Sequence, residues 1–349
     1  MAPEFISKID PTGAGDYTTL VAWEAARRGD LVARNTIEVA EVYGGGSVRG
    51  VLLSAVDWNV DSTHFPWIRA ATGHSHRGKY STATAYLQDE HASRPAVFNC
   101  GVGWTRLGPG LILEATSSPA QWFSEYMGSF VTSIPAAQPV IMDGCIFRRT
   151  LWTTVGVISI YMSTLETELI IKNCVILHTC VGDGNWMPAV AVQSGKGHIK
   201  IYNSLVIAGN NVANPGGGCI GLSIWFGASP GATIESENCY LHSYGAPGAP
   251  VYIAGGTTPG ANDATSNAEA VTPALRSIPY SIANFENVTI GSEDLHLVTG
   301  SSLIGAGADL SGVGVTSDFE GNPRVVPYDV GADAAPASGL SPALCLFGM

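Results

Sequence analysis

The heptapeptide Ile170-Ile-Lys-Asn-Cys-Val-Ile176 returns as Lys200-Ile-Tyr-Asn-Ser-Leu-Val206 and again as Glu235-Ser-Glu-Asn-Cys-Tyr-Leu241. Outward from this trio the pattern continues upstream in Ile141-Met-Asp-Gly-Cys-Ile-Phe147 and Leu107-Gly-Pro-Gly-Leu-Ile-Leu113, and downstream in Asn284-Phe-Glu-Asn-Val-Thr-Ile290. Three columns align. The turn column is Gly110, Gly144, Asn173, Asn203, Asn238 and Asn287; the next is Leu111, Cys145, Cys174, Ser204, Cys239 and Val288; two residues further on come Leu113, Phe147, Ile176, Val206, Leu241 and Ile290. Asn and Gly are turn formers, and apolar residues two apart mark a strand with one buried face. Each unit therefore reads as a bend followed by a short strand.

The turn positions are 34, 29, 30, 35 and 49 residues apart, too far for one hairpin per unit. Self-similarity at such a period is the mark of stacked coils whose inserted loops vary in length. Stacking predicts an all-β parallel β-helix solenoid, with an amide ladder along the Asn column and small core residues along the Cys/Ser column. A β-sandwich is the competing architecture, but sandwiches do not ordinarily repeat one bend and its core residues at this distance.

Composition narrows the function. The charge is −12, and only 13% of the residues are charged, so there is little basic surface to displace counterions from nucleic acid. With 42 Gly and 20 Pro against 46% hydrophobic residues, the chain is turn-rich but not low-complexity. No basic and apolar leader opens the sequence, so no secretory signal is expected. The densest apolar stretch, 151–162, is interrupted by Thr and Gly, which predicts no membrane span. Seven scattered cysteines without a CxxC pair predict reduced, mostly buried thiols.

The ends differ from the middle, as solenoid ends must to cover an open core. Residues 1–36 are expected to form an N-terminal cap with a helix whose apolar positions are 20, 23 and 26, capped by Asp16 or Thr18 and stopped at Gly29. Residues 37–310 are expected to form the coils, beginning with strands at 37–42, 50–53 and 67–69 and broken by a long loop at about 255–280. Residues 311–349 are read as a closing segment with an extended tail.

The coil pattern resembles the right-handed parallel β-helix, or pectate-lyase-like, superfamily. The stretches Gly13-Ala-Gly-Asp-Tyr-Thr-Thr-Leu-Val-Ala-Trp-Glu24, Trp58-Asn-Val-Asp-Ser-Thr-His64, Asp318-Phe-Glu-Gly-Asn-Pro-Arg324 and Asp329-Val-Gly-Ala-Asp333 resemble β-helix proteins found among bacteriophage and prophage products. The resemblance implies a non-enzymatic virion structural protein, a decoration, spike or fibre component. It would be assembled in the host cytoplasm, contact other virion proteins and a host surface polysaccharide, and need no cofactor; the aromatic residues of the expected loops and the apolar tail point to a homotrimer. Because the superfamily also includes lyases and hydrolases, a tailspike-type polysaccharide lyase or glycoside hydrolase is the alternative.

That alternative calls for particular residues. A lyase needs a base near a uronate carboxylate, and Asp143 with Lys172 on neighbouring coils, about 5 Å apart, is the pair offered. A glycosidase needs two carboxylates about 5 to 9 Å apart, for which Asp183 with Glu168, or Glu235 with Glu237, are candidates. His74 and His76 could hold a divalent metal with His91 or Asp89, although the bland reading is a surface loop. Trp122, Phe123, Tyr126, Trp186, Trp225 and Phe226 are candidate ring contacts for a glycan or partner, against packing of loops onto the body.

Overall fold

The computed structural model describes residues 1–88, 96–115, 128–131, 134–135, 137–149, 157–160, 163–180, 187–210, 219–228, 230–243, 257–266 and 277–335. Strands dominate, and nearly every pairing between them is parallel. Three runs emerge. The first is Glu4–Ile9, Ile37–Val42, Pro66–Ala70, Arg106–Leu107, Val140–Asp143, Ser163–Lys172, Met187–Tyr202, Thr233–Glu237 and Thr257–Pro259. The second, a separate sheet, is Ser47–Arg49, Tyr86–Gln88, Ile112–Ala115, Ile146–Arg149, Val175–Cys180, Leu205–Asn210, Tyr240–Ser243 and Ala264–Thr265. The third is Val51–Leu53, Ala96–Cys100, Gly128–Val131 and Ile158–Ile160, and it meets the first at the long strand Met187–Tyr202, which also pairs with Cys219–Ala228.

Register carries the repeat. Ile112, Ile146, Val175, Leu205 and Tyr240 lie opposite one another in successive strands, and Leu113, Phe147, Ile176, Val206 and Leu241 lie one step along. The latter column points inward and shares one core with Ile68, Leu107, Met142, Ile171 and Ile201 of the first run and Cys100, Ile158 and Val190 of the third. Large aliphatic side chains buried in register are the main favourable contribution here, each worth about 1.5–3 kcal/mol.

The turn column is where the chain passes from the first run to the second. Gly110, Gly144, Asn173, Asn203 and Asn238 all have positive φ, between +45° and +85°, a region that Gly enters freely and Asn enters most readily among side-chain-bearing residues. Each bend is tied to the next: the N–H of Gly110, Asn173 and Asn203 donates to the carbonyl of Gly144, Tyr202 and Glu237. The following small residue locks its own bend. Cys145, Cys174, Ser204 and Cys239 donate from Sγ or Oγ to the carbonyls of Asp143, Lys172, Tyr202 and Glu237. Burial pushes the Cys145 and Cys239 thiols up, so these are structural thiols. Cys100, Cys145, Cys174 and Cys239 are free and buried.

The N-terminal helix spans Leu20–Arg27, with Leu20 and Trp23 in the core and contacts to strands of all three runs. Its cap is Thr19, whose hydroxyl accepts from the Ala22 N–H at 3.1 Å, rather than Asp16 or Thr18. Asp16 is engaged by the Lys8 N–H. Among the described residues no helix is long and apolar enough to cross a membrane.

The sixth repeat departs from expectation. Phe285–Asn287 pairs antiparallel with Asp294–Leu297, outside the parallel runs, and Ile290 is 45% exposed. Residues 277–335 instead form a flank on the body. Phe285, Leu295, Leu297, Leu303, Phe319, Val330 and Ala332 cover the outward column Ile112, Ile146, Val175, Leu205 and Tyr240. Phe319 approaches Gly78 so closely that a Cβ there would lie 2.5 Å from the ring, and Gly78 has φ +71°.

One arginine fastens the flank to the bends. Arg324 is 8% exposed and donates to the carbonyls of Ser317, Gly331, Ala332 and Asp333, and to Asn173 Oδ1 at 3.3 Å. With the Asn203 amide oriented so that its oxygen faces the guanidinium, that oxygen accepts from Nε and Nη1 at 2.9 and 3.0 Å. The Asn238 amide exchanges two hydrogen bonds with the backbone of Ala308, and Asn173 Nδ2 donates to Asp143. The Asn side chains thus serve the flank and their neighbours, in place of a continuous amide ladder.

Candidate functional site

Because alternate strand residues face outward, the position before each bend does form a stripe: Asp143, Lys172, Tyr202 and Glu237 are in register. Lys172 Nζ lies 3.7 Å from Asp143 Oδ2 and donates to the Gly314 carbonyl at 3.2 Å. Tyr202 packs against Leu310, Val315 and Tyr328. The stripe is therefore partly a seat for the flank. Glu286, which precedes the bend residue of the sixth repeat, lies in the antiparallel pair instead.

Glu235 is exposed opposite Lys200, whereas Glu237 accepts from the N–H and Nδ2 of Asn262. Glu168 is bound to Lys200 Nζ at 2.8 Å. Asp183, Asp89, His91, Trp122, Phe123, Tyr126 and Trp186 lie outside the described residues. Trp225 and Phe226 fall within the strand Cys219–Ala228, where only the backbone is described.

The histidine loop is more deeply built in than a surface loop. His74 Nδ1 accepts from the Gly44 N–H at 3.0 Å, and its ring lies 4.9 Å from that of Tyr43. His76 is 2% exposed; Nδ1 accepts from the Gly78 N–H and Nε2 donates to the Gly144 carbonyl. That pair of bonds fixes the neutral tautomer, and burial pulls the His76 pKa down to about 4. The structure gives both histidines protein partners, and no set of three metal-ligating side chains gathers among the described residues.

Two arrangements escaped the sequence reading. One is a cleft of about 610 Å³ where the flank meets the loop 71–80, lined by Lys79, Glu286, Asp294, His296, Glu320 and Asp333 among others. His296 Nδ1 lies 2.6 Å from Asp294 Oδ1 and Nε2 lies 3.4 Å from Glu320 Oε2; Lys79 Nζ lies 2.8 Å from Asp294 Oδ2. Burial alone would lower the His296 pKa, but the Asp294 hydrogen bond and the charges of Asp333, Asp294 and Glu320 outweigh it and hold it above the ordinary value. Asp333 is 3% exposed and accepts from the Leu297 N–H at 2.7 Å; burial pushes its pKa up to about 6. Asp294 and His296 are two apart on one strand and so share a face, which is the only local trace of this cluster in the sequence.

The other is a ring and guanidinium stack on the outward face of the first run. Arg106 lies over Phe65 at 4.1 Å and 5.9 Å from the Trp67 ring centroid, while Arg69 covers Trp67 at 4.5 Å. Arg69 is paired with Glu4 and Glu41, but Arg106 makes no ion pair among the described residues. Partial burial lowers the Arg106 pKa without a compensating hydrogen bond.

No protein-family model matches the chain, and a search of curated proteins finds none similar to it.

Proposed function

We propose that the chain is a right-handed parallel β-helix serving as a non-enzymatic structural component of a phage-like particle, displayed as a homotrimeric decoration, spike or fibre. The observation that carries this reading is the union of an in-register, three-run body with a flank fastened along its bends by Arg324. Such a body holds its shape over a long axis and offers lateral surfaces for contact. Of the catalytic candidates, Asp143, Lys172, Glu168 and Glu237 are committed to neighbours within the fold. Arg106, half-buried beside Trp67, supports a face for a host surface glycan, since a guanidinium suits sugars bearing carboxylates.

The second reading, a tailspike-type lyase or hydrolase, is favoured by the His296 cleft, where a protonatable carboxyl and a histidine open onto one space. Incubation of the purified protein with bacterial surface polysaccharides separates the two. Neither reducing ends nor absorbance near 235 nm is expected to rise, and light scattering is expected to give a trimer. Product release would replace the structural reading with the enzymatic one, and an isolated monomer absent as a trimer from particles would remove the trimeric display.

A further inference from the structure

Three stretches distant in sequence meet at the cleft: the loop 71–80 of the body, the strand Asp294–Leu297, and the closing stretch 318–333. A chain of charged contacts joins them. Lys79 from the body pairs with Asp294, Asp294 holds His296 Nδ1, and His296 Nε2 faces Glu320. Phe319 beside Glu320 is wedged between two imidazoles, with ring centroids 5.3 Å from His296 and 5.9 Å from His76. The His296 side chain is 25% exposed and lines the cleft, so protons reach it from solvent. We propose that Asp294, His296, Glu320 and Asp333 form a histidine latch through which pH sets how tightly the strand Asp294–Leu297 and the closing stretch 318–333 are held together.

The groups facing the ring decide the direction. Asp294 on its own strand, Glu320 and Asp333 from the closing stretch, and Lys79 through Asp294 surround it; Glu286 lies near Lys79, and His76 opposes its charge from the body. His296 is held above its ordinary 6.5 while the closing stretch keeps Glu320 and Asp333 beside it. Closure therefore binds a proton on this ring that opening releases, and the stabilisation is full below pH 6.5 and lost as pH rises through the closed-state value. Asp333, at about 6 against an ordinary 3.8, also favours closure at low pH and loses that contribution between those two values. His76, buried beneath Phe319 at about 4, works oppositely and loses its contribution as pH falls from 6.5. The two offset one another in acid, which leaves His296 to govern the neutral and alkaline side.

Hydrogen exchange on the full chain tests the latch, because the Leu297 N–H donates directly to Asp333 Oδ2. Protection of Leu297, corrected for intrinsic exchange at each pH, is expected to fall about threefold or more from pH 6.5 to 8.5, while that of Ile201 in the first run holds. His296→Gln is expected to flatten this fall, and Asp333→Asn is expected to keep it while adding a loss of protection below pH 6.5 that His76 no longer has offset. A flat wild-type profile, a fall that persists in His296→Gln, or a Leu297 profile that follows Ile201 overturns the latch.

Discussion

Asn203 and Asn287 hold the same turn column of the repeat and meet opposite fates. At Asn203 the chain takes φ +45°, the following Ser204 is buried, and Val206 is fully buried in register between Ile176 and Leu241. Asn287 lies in a strand, uses its own side chain on Ser292 and Thr289, and is followed by an exposed Ile290. The difference lies in what is within reach. A coil strand must find a partner about thirty residues away, whereas the stretch 285–297 can close on itself, and a shorter loop costs less entropy. The bend motif thus proposes a coil, and only a waiting parallel edge accepts it.

The comparison can be broken most severely at Arg324. Replacing it with Ala leaves Asn173, Asn203 and several flank carbonyls without their donor in a buried place, and should cost on the order of 3–5 kcal/mol. Urea denaturation is expected to show the flank leaving before the body, and a single unshifted transition would mean the two regions are not fastened there. Next is the core column: Ile176→Ala should cost about 2–5 kcal/mol, whereas Ile290→Ala should stay within about 0.5 kcal/mol. Equal costs would return the sixth repeat to the stack.

A smaller contrast concerns backbone conformation. Asn203→Ala, at a left-handed position, should destabilise by about 1–2 kcal/mol beyond any change from Asn287→Ala, where φ is not positive. Asn203→Gly should recover the backbone part of that loss. A modest effect is expected at Lys172→Ala, which removes an ion pair and one bond to Gly314. A pair this long, with its carboxylate open to solvent, contributes about 1 kcal/mol or less. A larger loss in thermal denaturation would make the stripe a principal seat of the flank.

The body was legible because its signals are local and repeated. Asn or Gly at the bend, a thiol or hydroxyl after it, and an aliphatic residue two further on each answer to a constraint inside one coil. The helix was legible to within one residue at its cap, Thr19 rather than Thr18. The flank was not, because its contacts join residues that share no spacing: Arg324 with Asn173, Phe319 with Gly78, Asp333 with Leu297. The His296 cleft was hidden for the same reason, since only Asp294 and His296 of its lining are near neighbours in sequence. His76 misled the reading because a histidine in a Gly- and Arg-bearing stretch looks exposed, while its bond to Gly144 depends on the fold.

Arg324 reaches Asn173 across 151 residues of chain. On a ribosome adding roughly 5–20 residues per second, the Asn173 bend emerges roughly eight to thirty seconds before the side chain that closes it. During that interval the parallel strands can pair, but the outward column from Ile112 to Tyr240 stands bare. The nascent protein thus passes through a stage with a finished core and an unfinished, sticky side, when a neighbouring chain could compete for the place of its own last segment.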